Sequence, residues 1–149
     1  MVIVLLLYLV FIAGPIGTIT HELGHAFGAK WAGANKVVLS IGSGKVIHRS
    51  EWNNISIYIH TLFFLGGMTY SETTVPYHRK EVILIALAGP LLSALAAALC
   101  FVFYLFYPGD YMMLLILLHL WIAFINFIPF HFKGKQSDGY TIYKAIAFK

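Results

Sequence analysis

Three stretches of this chain, at about 2–31, 82–107 and 111–130, are apolar over the roughly 20 residues that a helix needs to cross a bilayer. No other feature restricts the fold so strongly. A segment surrounded by lipid must satisfy its backbone hydrogen bonds internally, so each stretch is expected to be a helix. Composition agrees: 60% of the 149 residues are hydrophobic and 11% are charged, too little charge to coat a soluble domain of that size. The expected fold is therefore an α-helical integral membrane protein, one domain over 1–149 with a three-transmembrane-helix core. Pro108-Gly109-Asp110 reads as a tight turn that makes the second and third spans an antiparallel hairpin. Gly14-Pro15 predicts a kink in the first. No Lys or Arg precedes the first apolar run and no clean small-x-small site follows it, so it reads as a retained helix rather than a signal peptide.

Segment 32–81 has a different character. Residues 37–41 are rich in β-branched side chains, Gly42-Ser43-Gly44 is a turn, and residues 46–48 follow. Beyond the polar turn Glu51-Trp52-Asn53-Asn54, residues 55–60 alternate apolar and polar at period two. The pattern predicts two or three short strands in a β-hairpin segment between helices 1 and 2. Residues 61–70 are apolar but carry Gly66-Gly67 and are too short to span, so they are expected to dip into the membrane or lie on it. In the tail, 131–149, the apolar and aromatic positions Tyr140, Ile142, Tyr143, Ile146 and Ala147 predict a short interfacial helix.

All 10 Lys and Arg residues fall in two places. Lys30, Lys36, Lys45, Arg49, Arg79 and Lys80 lie in or beside the first loop, and Lys133, Lys135, Lys144 and Lys149 lie in the tail. With three spans, these regions share one side of the membrane. The positive-inside bias makes loop 32–81 and the tail cytoplasmic and the N-terminus external. The net charge of +4 thus reads as a topology signal, and no nucleic-acid signature accompanies it. The one cysteine, Cys100, excludes an intramolecular disulfide and reads as a small buried hydrophobe.

The chemistry is concentrated in His21-Glu22-Leu23-Gly24-His25, an H-E-x-x-H sequence. Residues four apart share a helix face, so both imidazoles can reach one metal ion, and imidazole suits zinc. Glu22 is rotated off that face, where it can act on a water as general base. The competing reading, three polar residues snorkelling at a helix end, is outweighed by the cost of placing them in an apolar span without a function. A catalytic zinc takes three protein ligands and leaves one position open. Asp110 belongs on the opposite side of the membrane. Asp138, Glu72 and the remaining histidines stay open as the third ligand, with Asp138 favoured because Gly139 permits a tight turn beside it; its bland reading is an Asx-turn residue. His119 shares a helix face with Asn126 and reads as a hydrogen-bonded structural histidine. His48, His60, His78 and His131 read as solvated.

Thr20-His21-Glu22-Leu23-Gly24-His25-Ala26 resembles the first signature of the site-2 protease family of intramembrane zinc metalloproteases. Ala88-Gly89-Pro90-Leu91 resembles that family's Ala-Gly-Pro segment, and Asn126-Phe127-Ile128-Pro129 with Asp138-Gly139 resembles its Asn-x-x-Pro…Asp-Gly signature. Gly66-Gly67 stands where the family has a Gly-Gly loop after its strands. The gap from Pro129 to Asp138 is longer than in the commonest family pattern, and Ser93 stands where many relatives have Asn. The resemblance implies one Zn²⁺ per chain held by His21, His25 and Asp138, with Glu22 as catalytic base and Asn126, Gly66 and Gly67 binding substrate. It implies hydrolysis of peptide bonds in or near transmembrane segments of membrane proteins or peptides. No PDZ domain is expected, and the location implied is a prokaryotic cell membrane. An extended substrate is expected to pair with an edge strand at residues 55–59. A regulatory membrane partner or oligomer fits the small size. The alternatives are a non-catalytic membrane helix-binding regulator and a metal transporter; the latter lacks acidic residues on the outer side, where only Asp110 stands.

Overall fold

The computed structural model describes residues 1–132 and 134–148. The first helix runs as α1 (Val2–Tyr8), a π-helical turn (Leu9–Ala13) and α2 (Gly14–Trp31). The distortion expected at Gly14-Pro15 is this widened turn. Pro15 has no N–H to donate and its ring crowds the preceding turn, and the Gly14 N–H reaches back to the Leu9 carbonyl five residues earlier. Helices α3 (Arg79–Phe106) and α4 (Asp110–Phe127) follow, close to the ranges read from sequence. Three helical stretches, Val2–Trp31, Arg79–Phe106 and Asp110–Phe127, are long and apolar enough to cross a membrane.

Small residues let these helices approach. On α3 the buried positions are Ala86, Gly89, Pro90, Ser93 and Ala97, one face at helical spacing. On α2, a Cβ at Gly17 would meet Leu118 and Ile122 of α4, and a Cβ at Gly24 would lie 2.7 Å from the Gly89 Cα. Large apolar side chains point the other way: Leu91, Leu95, Leu99, Phe103 and Phe106 are all exposed. Small residues inside and bulky ones outside are what helices packed in an apolar solvent require.

The segment between α2 and α3 is two long strands, β1 (Lys36–Trp52) and β2 (Ile55–Glu72), not two or three short ones. Each folds back on itself, β1 around Gly42 (φ +83°) and Gly44 (φ +97°), β2 near Gly66 (φ +72°). Such positive φ values are open to glycine and costly for other residues. The register sets Lys36 opposite Glu72 and Ile41 opposite Gly67, Trp52 opposite Ile55 and Val46 opposite His60, and also Val37 opposite Ile55 and Ile41 opposite Ile59. Residues 55–59 are therefore paired on both sides. The expectation that they form a free edge is corrected, and the edge beside α2 is residues 67–72. Residues 61–70 likewise belong to β2 rather than to a separate segment. The inner face of this sheet, with Val37, Leu39, Ile41 and Ile55, packs on Ala26 and Ala29 of α2 as the hydrophobic core.

A two-residue hairpin, β3 (His131–Phe132) with β4 (Lys135–Gln136), leads into α5 (Asp138–Ala147), the helix expected in the tail. Ser137 is its N-cap, buried, accepting from the Tyr140 N–H at 3.1 Å and donating to the Ile128 carbonyl at 2.7 Å. This capping satisfies an otherwise open helix-end donor and fixes Asp138 as the first helical residue.

Candidate metal centre

His21 and His25 project from one face of α2, as their spacing requires. Asp138 comes to them from the start of α5. His21 Nε2 lies 3.1 Å from Asp138 Oδ2, His25 Nε2 lies 3.2 Å from Asp138 Oδ1, and the two Nε2 atoms are 3.1 Å apart. Four ligands at zinc distances of ~2.0–2.1 Å stand about 3.3 Å from one another at the corners of a tetrahedron. Each Nε2 thus stands from the other, and from its nearer carboxylate oxygen, at about the spacing that ligands of one zinc keep, and one ligand atom from each of the three residues lies within 4.8 Å of the others; two nitrogens and a carboxylate are a set that suits zinc. Among the described residues His21, His25 and Asp138 form the one group of three that could hold a metal ion; Glu72 and Asp110 are not in it.

The far side of each ring is also engaged. His25 Nδ1 donates to the Ile85 carbonyl at 2.8 Å, which puts the proton on Nδ1 and leaves the Nε2 lone pair for a ligand. His21 Nδ1 lies 3.1 Å from Ser93 Oγ, a hydroxyl wholly buried on α3. Gly89 leaves room for the His25 ring, because a Cβ there would collide with it. The Ala-Gly-Pro segment thus acts as the wall against which the second histidine is set.

Glu22 turns toward the sheet. Its Oε2 accepts from Thr69 Oγ1 at 2.7 Å, and the same hydroxyl lies 3.0 Å from the Glu22 carbonyl oxygen. Gly67, two residues earlier on β2, allows this approach, since a Cβ there would lie 3.0 Å from Glu22 Cγ. A cavity of about 400 Å³ joins these groups, lined by His21, Glu22, His25, Gly67, Asn126 and Asp138 among others. Asn126 donates to the Ile122 carbonyl at 2.9 Å, which leaves its amide oxygen and second N–H uncommitted by that bond.

The structure thus brings together His21, Glu22, His25, Asp138, Asn126 and Gly67. Gly66 is set apart: it makes the bend and is not in the cavity wall. His119 is buried on α4 with Nδ1 donating to the Leu115 carbonyl at 2.9 Å, the structural role expected of it. Ser137 and Thr69 were not singled out from sequence, and Ser93 was noted only as a departure from the family pattern. Ser137 before Asp138 carries a helix-start signal, and Ser93 is a polar group within an apolar span. Nothing local marks Thr69, whose partner is 47 positions away.

A helical bundle carrying a convergent two-histidine, one-carboxylate donor set defines the class. Residues 4–149 match Peptidase family M50, and the chain belongs to that family, the site-2 protease family. A comparison with curated proteins gives no match.

Proposed function

We propose that the chain is an intramembrane zinc metalloendopeptidase that hydrolyses peptide bonds in or near transmembrane segments. The observation that carries this reading is the convergence of His21 Nε2, His25 Nε2 and the Asp138 carboxylate in a cavity that Glu22 also lines. Zinc bound there would polarise the scissile carbonyl and bring the pKa of its water toward about 7. Glu22 takes the proton of the attacking water and passes it to the leaving amine. The Thr69 hydroxyl holds Oε2 of that carboxylate, and the Ile85 carbonyl and Ser93 hydroxyl hold the imidazoles. Asn126, with amide capacity to spare, binds the backbone of a substrate that has locally unwound from its helix, since helical peptide groups are already hydrogen-bonded. The three apolar spans cross the membrane, with the sheet and α5 on the cytoplasmic side.

Metal analysis of the purified protein tests this together with a cleavage assay on transmembrane peptides. We expect about one zinc per chain, retained in Glu22→Gln without hydrolysis and lost in His25→Ala and Asp138→Ala. Normal cleavage by Glu22→Gln would remove Glu22 as the base. A zinc-free wild type after metal is offered back would overturn the enzyme reading.

A further inference from the structure

A second cavity, of about 540 Å³, lies between the start of α3 and the length of α5. Its wall includes Arg79, Lys144, Gln136, Val82, Thr141 and Phe148. Both charged side chains in that wall are cations, and no carboxylate lines it among the described residues. The nearby Glu81 carboxylate is taken up as the α3 cap, accepting from the His78 N–H at 2.7 Å. Arg79 is the first residue of a helix long enough to span, so on the proposed membrane placement it stands at headgroup depth. Phe148, apolar and exposed, stands in the same wall. Two cations with an amide and apolar side chains match a phosphodiester joined to acyl chains.

The cavity is also linked to the metal centre. Arg79 donates to the Ile146 carbonyl at 2.9 Å, tying the end of α5 to the start of α3. Val82 and Thr141 form part of this wall and part of the wall of a neighbouring cavity that contains His25 and Asp138. Asp138 is the first residue of α5. We propose that this cavity binds the headgroup of an anionic phospholipid, and that the bound headgroup braces α5, and with it Asp138, against α3.

The test uses native mass spectrometry of the full chain in detergent, with phosphatidylglycerol and phosphatidylcholine as probes. The expected result is preferential retention of phosphatidylglycerol, weakened about fivefold in Lys144→Gln and about fivefold again on adding Arg79→Gln. Lys30→Gln and Lys36→Gln, elsewhere on the basic side, leave it unchanged. Lys144→Gln is the cleaner variant because Arg79 also holds the Ile146 carbonyl. Undiminished retention in the double variant overturns the site, as does displacement of the lipid by millimolar inorganic phosphate, which would make free phosphate the ligand. In vesicles, zinc extraction by a chelator is expected to be slower with phosphatidylglycerol than with phosphatidylcholine for wild type, and equal for Lys144→Gln. Equal rates in wild type overturn the bracing. Lipid retention is read without hydrolysis, so it stands or falls apart from the peptidase reading. Failure of membrane placement would show instead as no partition into either vesicle.

Discussion

At the scale of single residues, the candidate metal centre is held by groups outside its donor set. Ser93 faces His21 Nδ1 from within α3, and partners of this kind orient a ligand imidazole and set its basicity. Ser93→Ala is expected to weaken zinc binding about 10- to 100-fold, read by competition with a fluorescent chelator. Thr69 stands in the corresponding place beside Glu22, the proposed base. Thr69→Val should leave zinc in place and lower kcat by about 10- to 100-fold, the rate equivalent of losing a hydrogen bond to a charged group, whereas Thr69→Ser should restore it. Unchanged kcat in Thr69→Val would show that Glu22 needs no tether. The H-E-x-x-H histidines were legible in the sequence because their geometry is local: four residues on a helix is one face. The Ser93 and Thr69 contacts join residues 72 and 47 positions apart, and no local spacing encodes them. Asp138 lies between these cases, favoured from its following glycine and the family resemblance but fixed in place by the buried Ser137 cap.

At the scale of elements, the contact between α2 and α3 is set by glycines. A Cβ on Gly89 would run into the His25 ring, while a Cβ on Gly109 would meet open space. Gly89→Ala is therefore expected to lower zinc occupancy with little change in helix content by circular dichroism. Gly109→Ala, at an extended backbone position, should shift stability by no more than about 0.5 kcal/mol. Equal zinc occupancy in the two variants would show that the His25 slot has slack. The helices were readable because length and apolar run determine a span almost alone. The sheet was half readable. Alternation over 55–60 announced a strand, but which neighbours that strand has depends on how β1 and β2 fold back at Gly42, Gly44 and Gly66. Register between distant segments is written in no single segment, so an inner strand was mistaken for an edge.

At the scale of the whole molecule, the outward-facing leucines and phenylalanines of α3 and the basic residues of the loop and tail make one prediction about orientation. In a Cys100→Ser background, Ser50→Cys in the sheet and Gly109→Cys in the α3–α4 turn should label from opposite sides of sealed membranes with an impermeant maleimide. Ser50→Cys is expected to react only from the cytoplasmic side. Labelling of both from one side would refute the three-span arrangement. The three long apolar helices were legible because length and hydropathy are sums over many residues. The folding of the tail onto α3 was not, since it rests on particular contacts such as Arg79 with the Ile146 carbonyl.

The donors of the candidate metal centre lie far apart in the chain: His21 and Asp138 are 117 positions apart. A chain still leaving the ribosome has two donors and a base long before it has the third. On the proposed activity, the emerging protein passes its own apolar segments and those of its neighbours through the insertion machinery while it has no complete centre with which to cut them. On that activity, hydrolytic competence waits for α5, which carries Asp138, to be made and docked, so the order of synthesis itself would delay cutting.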